Sequence, residues 1–309
     1  QHRIVARIEE LFSRLDAGIE ALQRARVQLR RYRQAVLKAA VEGRLTEQWR
    51  KEHPEVEPAE KPLEQVDGLP RDWSFVILKN ICVDITDGDH QAPPQSSAGI
   101  PFLVISNIKE GRLDFAKTRF VPEEYYDLIP RIRKPTRGDI LYSLVGSYGI
   151  PVIVNTERKF CFQRHIGLIR PSRVVDTNYL FYFLKSDFAF RQATNAATGT
   201  AQLTVSLQGL RSFKVPFPPL TEQKMIVSEI ERRFSASDSI ESILGTNQER
   251  ADRLRQSILK RAFEGRLVPQ DPGDEPASVL LERIRLEREV VADKRGKKNS
   301  SAKQTRLTQ

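Results

Sequence analysis

Asp84, Asp87, Asp89 and His90 fall within one short stretch, Asp84-Ile85-Thr86-Asp87-Gly88-Asp89-His90. Carboxylates and an imidazole this close together are the ligand types of a divalent-metal site. The spacing is not that of an EF-hand loop, which closes on a Glu at its twelfth position. A strand end followed by an Asp-Gly turn and a Pro-containing loop accounts for the same residues without a metal. His165, in Phe162-Gln163-Arg164-His165-Ile166, is a candidate for acid–base chemistry, but no Ser or Cys nucleophile motif accompanies it. A metal-dependent enzyme with its site near Asp84–His90 is the enzymatic alternative, and a coiled-coil interaction protein that uses its globule for protein binding is the other.

The strings that mark common catalytic machinery are missing. There is no G-x-G-x-x-G and no P-loop, no G-x-S-x-G and no H-E-x-x-H. Phe217-Pro218-Pro219-Leu220 comes nearest to the Asp/Asn-Pro-Pro-Tyr motif of adenine aminomethyltransferases, without its polar head or aromatic end. Several polar loops suit a different chemistry. Arg and Lys can contact guanine edges in a bidentate way, and Asn and Gln adenine edges. The candidate readers are His90 and Gln91, Asn107 and Lys109, Tyr148, Gln163 and Arg164, and Thr200 and Gln202. For any one of these loops, simple solvation is the plainer reading.

The charge balance fits a polyanionic partner. The formal net charge is +10, which places nucleic acid first among partner classes. Part of that sum lies in the tail, where Lys294 to Arg306 holds six basic residues and no acid. The hydrophobic fraction of 39% is low and the charged fraction of 29% high, as long solvated helices would produce. Cys82 and Cys161 have no metal-type spacing, so reduced thiols and a cytoplasmic location are expected. No apolar run reaches the length of a membrane span, and no signal peptide is present. The chain opens inside a helical pattern without an initiator Met, which suggests a piece of something longer.

The elements that must position these loops show one repeat. Residues 1–48 and 223–270 align without a gap, and 20 of the 48 pairs are identical. Glu42-Gly43-Arg44-Leu45 returns unchanged as Glu264-Gly265-Arg266-Leu267. In the first copy Ile4, Ile8, Leu11, Leu15, Gly18, Leu22, Ala25, Leu29, Tyr32 and Val36 follow a heptad, the pattern of a coiled-coil seam. The second copy places Ile226, Ile230, Arg233, Ser237, Ile240, Leu244, Asn247, Ala251, Leu254 and Ile258 at matching positions. Gly43 falls where a helix C-terminal cap is expected, and Thr221 is the expected N-cap of the second helix. Between the copies, Phe75–Leu78, Phe102–Ile105, Asp139–Tyr142 and Ile150–Val154 read as strands, and Asn178–Ser186 as a short helix.

With the repeat and the middle segment in view, the chain resembles the specificity subunits of type I restriction–modification systems. Pro216-Phe217-Pro218-Pro219-Leu220-Thr221-Glu222-Gln223 resembles the start of that family's conserved helix. Gln34 to Lys38 and Glu42 to Arg50 resemble the end of its central conserved region, and Gln256 to Leu267 the end of the distal one. Gly68-Leu69-Pro70 followed by Trp73 resembles the start of a target recognition domain. The resemblance implies an α+β protein: one α/β target recognition domain flanked by two long helices forming an antiparallel coiled coil. The implied boundaries are a helix at 1–46, a linker at 47–68, the recognition domain at 69–219 and a helix at 220–267. A C-terminal segment with a short helix at 268–290 and a basic disordered tail at 291–309 complete the chain.

The resemblance further implies a non-catalytic subunit that reads half of a bipartite site in double-stranded DNA. Leu11, Leu15, Leu22, Leu29, Ile230, Ile240, Leu244 and Leu254 would form the seam of the scaffold. Methyltransferase and restriction subunits would dock there and hold S-adenosylmethionine, ATP and Mg, leaving this chain without a cofactor. The family pattern has two recognition domains and this sequence has one, matching the second half. Such a half subunit would rebuild two-fold symmetry by dimerising.

Overall fold

The computed structural model describes residues 1–56, 68–109, 111–200 and 202–304, with side chains up to residue 290. The chain divides into two compact units, Gln1–Leu22 with Thr246–Gln309, and Gln23–Gly245. Helix α1 (His2–Val41) opens the chain and the short α2 (Glu47–Glu52) follows it. The middle segment carries β1 (Ser74–Ile77), β2 (Cys82–Asp87), β3 (Ile100–Leu103), β4 (Ile108–Lys109), β5 (Arg112–Leu113), β6 (Arg119–Val121) and α3 (Glu123–Leu128). It continues with β7 (Ile140–Ser143), β8 (Pro151–Ile153), β9 (Cys161–Phe162), β10 (Ile166–Pro171), α4 (Thr177–Leu184) and α5 (Asp187–Ala196). The hairpin β11 (Ala197–Thr198) and β12 (Thr204–Val205), then α6 (Leu207–Arg211) and β13 (Lys214–Phe217), lead to α7 (Leu220–Phe263) and α8 (Ala277–Gln304).

The four strands expected from apolar runs all form, displaced by one or two residues, and the expected short helix is α4. The largest sheet has the order β2-β10-β7-β8, antiparallel throughout. A second sheet, β6-β3-β9, mixes an antiparallel and a parallel pair. One face of the main sheet buries Ile85, Ile140, Tyr142 and Ile169 against Tyr179, Phe183 and Phe213. The other buries Leu141 and Leu168 with Leu103, Phe160 and Phe162. Period-2 alternation along each strand produces these two cores.

The same core takes in Val36, Leu37, Ala40 and Val41 at the end of α1, and Ile226, Val227 and Ile230 at the start of α7. The joint is polar at its centre. Glu222 is 1% exposed. Its Oε1 accepts from Thr46 Oγ1 at 2.7 Å and from the Arg50 guanidinium, and its Oε2 from Trp73 Nε1 at 2.9 Å. Arg50 also donates to the Gly43 carbonyl and lies over the Trp73 ring. Next to it, Gln223 accepts from Asp176 N at 2.7 Å and donates to Pro218 O at 2.9 Å.

Gly43 makes this return of the chain possible. Its φ is 70°, and a Cβ there would lie 2.3 Å from Pro70 Cγ. Gly43 N donates to Ala40 O and Arg44 N to Ala39 O, the two bonds of a Schellman cap. In the other unit Gly265 N to Ala262 O and Arg266 N to Arg261 O repeat it, so the duplicated Glu-Gly-Arg-Leu is a duplicated helix stop.

Several expectations need correction. The segment expected as a linker begins with α2, ordered because Arg50 is bound to Glu222; residues 57–67 lie outside the described ones. Helix α7 starts at Leu220, so Thr221 lies inside it and is not its cap. Helix α8 continues to Gln304 where a disordered tail was expected from 291, since Lys, Ala and Gln sustain a helix.

The heptad also drifts. Gly18, Tyr32 and Asn247 are exposed, and Ile240 and Leu254 are 47% and 50% exposed. A straight helix with 3.6 residues per turn turns away from a strict heptad by about 20° per repeat. The shielded face of α1 accordingly passes through Leu15, Ile19, Leu22, Leu29, Arg33 and Leu37. Ion pairs join the long helices within each unit: Arg33 to Asp238 at 2.6 Å and Arg26 to Glu241 at 3.5 Å in one, Arg255 to Asp16 in the other.

Glu222→Ala strands an arginine and an indole N–H in the core. Breaking a buried pair this way costs about 3–5 kcal/mol. Urea unfolding followed by tryptophan fluorescence should show that loss, with Glu222→Gln less affected.

Candidate nucleic-acid interface

The antiparallel main sheet sends three loops out at one end. Its register sets Asp87 opposite Gly167, Ser143 opposite Ile166 and Pro151 opposite Tyr142. The loop after β2 (Gly88–Gln91), the loop before β10 (Gln163–His165) and the β7–β8 loop (Leu144–Ile150) therefore emerge side by side. The β11–β12 hairpin joins them through Gly146 N to Leu203 O at 3.0 Å and Val205 N to Leu144 O at 2.8 Å.

Backbone bonds stitch these loops together. Asp89 N donates to Phe162 O and Arg164 N to Asp89 O, both at 3.0 Å. Leu144 N donates to His165 O at 2.9 Å, and Gln163 N to Leu103 O at 3.0 Å. Gly88 lies at the closest approach, where a Cβ would be 2.0 Å from the Phe162 carbonyl oxygen. Because main chain does the fastening, side chains remain available.

Arg164, Gln91, Thr200 and Gln202 are exposed. Among the described residues nothing bonds the Arg164 guanidinium. His90 Nε2 lies 2.9 Å from Asp87 Oδ2. Gln163 Nε2 lies 3.0 Å from His165 Nδ1. Burial, and then the charge of Arg164, lowers the His165 pKa, which favours a neutral ring able to accept that bond. Tyr148 stacks on Phe190 with centroids 5.6 Å apart, and its hydroxyl lies 3.2 Å from Thr194 Oγ1. The candidates from four separate stretches thus share one surface.

Asn107 does not belong to it. It is 5% exposed, its Oδ1 accepts from Val104 N and its Nδ2 donates to Asp114 O, both at 2.9 Å. Both ends of the amide hold a turn, and burial keeps the side chain off the surface. Lys109 is exposed on the β4–β5 hairpin, 3.7 Å from Asp114. The tail cluster Lys294, Arg295, Lys297 and Lys298 lies outside the described side chains.

The metal alternative is not supported by the placement of its residues. Asp84 faces Arg170 across the β2–β10 ladder, Asp87 faces His90 and Arg133, and Asp89 accepts from the Tyr125 hydroxyl. Among the described residues no three His, Cys, Asp or Glu side chains converge. The Tyr125 hydroxyl is pushed up by burial and then by Asp89, and the Cys161 thiol is pushed up to about 12, chiefly by burial. Neither group is an activated nucleophile. Among the described residues no helix is long and apolar enough to cross a membrane.

Sequence reasoning missed Arg133, which borders Gly88, Asp89 and Phe162, Arg131 on the same turn, and the fastening role of Gly88. The Arg131-Ile132-Arg133-Lys134 run was the available signal for the first. Gly88→Ala should force the 88–91 and 163–165 loops apart, at about 1–3 kcal/mol for an overpacked site. Faster hydrogen exchange at the Asp89 and Arg164 amides, with the α4 amides unchanged, would register that separation.

A family model described as the type I restriction modification DNA specificity domain matches residues 70–245. The type I restriction enzyme EcoBI specificity subunit of Escherichia coli is 32% identical, covering 96% of this chain and 64% of its own length. The EcoKI specificity subunit of Escherichia coli strain K12 is 28% identical over 97% of this chain and 65% of its own. The chain therefore spans less than two thirds of those relatives. A solved chain from a study of complex assembly and conformational transition of the type I R-M system matches at a TM-score of 0.56 and 20% identity. That match covers 84% of this chain and 60% of the other, and supports the fold alone. The chain belongs to the type I restriction–modification DNA specificity family.

Proposed function

We propose that this chain reads one half of a bipartite site in double-stranded DNA for a type I restriction–modification complex. The observation that carries the reading is the convergence of four loops bearing Arg, Gln, Thr and Tyr at one end of an antiparallel sheet. Arg164 is the guanine reader, because its guanidinium is exposed and can donate to O6 and N7 together. Gln91 and Gln202 are the adenine readers, and Thr200 and Tyr148 contact base edges or methyl groups between them. His90 and Gln163 orient the loops, and Lys109 contacts the phosphate backbone.

The scaffold half of the function lies in α1 and α7. In the larger compact unit Arg26 pairs with Glu241 and Arg33 with Asp238, rising numbers on α1 against falling numbers on α7, which supports antiparallel packing as a coiled coil. Leu11 and Leu15 line an open groove with Leu254, Ile258 and Leu267, so hydrophobic surface is available to complete that packing. Methyltransferase and restriction subunits dock on this scaffold in the cytoplasm and bring S-adenosylmethionine, ATP and Mg. The chain itself is non-catalytic, and a second copy could supply the other recognition domain.

Two outcomes are expected. Arg164→Ala and Gln202→Ala should each relax preference at one base pair, losing about 1–3 kcal/mol of discrimination. Binding to a panel of randomised duplexes checks this; unchanged preference in both variants would refute the placement of the reading surface. Leu22→Asp with Leu29→Asp should abolish co-purification with an adenine methyltransferase subunit, since buried unpaired charge disrupts the seam. Undiminished co-purification would remove α1 from the docking scaffold.

A further inference from the structure

Arg131–Arg133 form a single 3-10 turn after Pro130. Its backbone is closed by Arg133 N to Pro130 O at 2.9 Å and Lys134 N to Arg131 O at 3.1 Å. The turn is mounted on the sheet, because Lys134 O accepts from Arg170 Nη2 at 2.9 Å. Arg170 is in turn held by buried Asp139 at 2.8 and 3.0 Å. The Lys134 ammonium is already engaged: it donates to Asp127 O at 3.1 Å and lies 4.8 Å from the centre of the Tyr126 ring.

The two arginines are not engaged in that way. Arg131 is exposed, and its guanidinium has no bonding partner among the described residues. Arg133 lies 3.9 Å from Asp87 Oδ1, too far for a hydrogen bond, while the other carboxylate oxygen faces His90. Arg133 also lines a cavity of about 190 Å³ together with Gly88, Asp89, Pro130 and Phe162. The Arg133 guanidinium thus borders Gly88, Asp89 and Phe162, Arg131 is exposed on the same turn, and main-chain bonds set the position of that turn.

We propose that Arg131 and Arg133 are a phosphate clamp that grips the DNA backbone beside the base pairs faced by Gln91 and Arg164. A guanidinium fork matches two phosphate oxygens, and a turn already ordered loses little freedom on binding. In the free chain the Asp87 carboxylate stands where an anion is wanted, facing both Arg133 and His90. The clamp rests on the reading that this end of the sheet faces DNA. It supplies holding and register, whereas Arg164 supplies sequence preference.

The test is equilibrium binding of the full 309-residue chain to a panel of randomised duplexes at several salt concentrations. Arg131→Gln and Arg133→Gln should each reduce the slope of log affinity against log salt by about one, and the double variant by about two. The ranking of preferred sequences should stay that of the unaltered chain. Arg131→Gln changes an exposed side chain and leaves folding intact, so its slope is informative even if Arg133→Gln unfolds. An unchanged slope in Arg131→Gln, or a reordered sequence preference, would overturn the clamp while leaving the reading loops in place. Absence of any sequence preference in the unaltered chain would instead overturn the DNA-reading assignment and the clamp with it.

Discussion

The buried carboxylate of Glu222 is the constraint on which the larger compact unit depends. A carboxylate removed from water must be surrounded by donors or it destabilises the fold. Here the donors come from two segments distant from Glu222 in the chain: Thr46 and Arg50 after α1, and Trp73 at the start of the recognition domain. Satisfying one charge therefore fixes the end of one long helix, the beginning of the other and the first strand region between them. Gly43 belongs to the same requirement, since the chain must leave α1 in a left-handed turn and pass against Pro70 to bring Arg50 back. Gln223, bonded to Asp176 N, extends the joint to the N-cap of α4.

Around that joint, the recognition domain separates fastening from display. The ladder of β2, β10, β7 and β8 sets the loops at one end, and main-chain bonds between loops hold them there. Side chains at Gln91, Arg164, Thr200 and Gln202 contribute little to this fastening, so their identities can change while the backbone surface persists. The basic turn at Arg131–Arg133 follows the same logic, fixed to the sheet through Arg170 and Asp139, with Arg131 exposed and Arg133 facing Asp87. On the proposed reading, binding energy from phosphates and preference from bases are carried by different residues.

The sequence alone determined the local and periodic features. The repeat, the two long helices, the Schellman stops at Gly43 and Gly265, the main strands and the mixed helix-and-sheet class follow from periodicity and turn chemistry, which act over a few residues. The absence of catalytic motifs and the family resemblance were likewise legible, because both reside in contiguous strings. Tertiary structure alone decided which polar residues share a surface. Asn107 and Gln91 look alike in the sequence, yet Asn107 spends both ends of its amide on Val104 and Asp114 while Gln91 is exposed. Arg131 and Arg133 read as one more basic run until the fold brings Asp87 beside Arg133. The heptad placed Ile240 and Leu254 on the seam, but the shielded face of a straight helix moves steadily off a seven-residue repeat. Hydrogen-bond partners and relative position depend on contacts between residues far apart in the chain, and no local pattern specifies those.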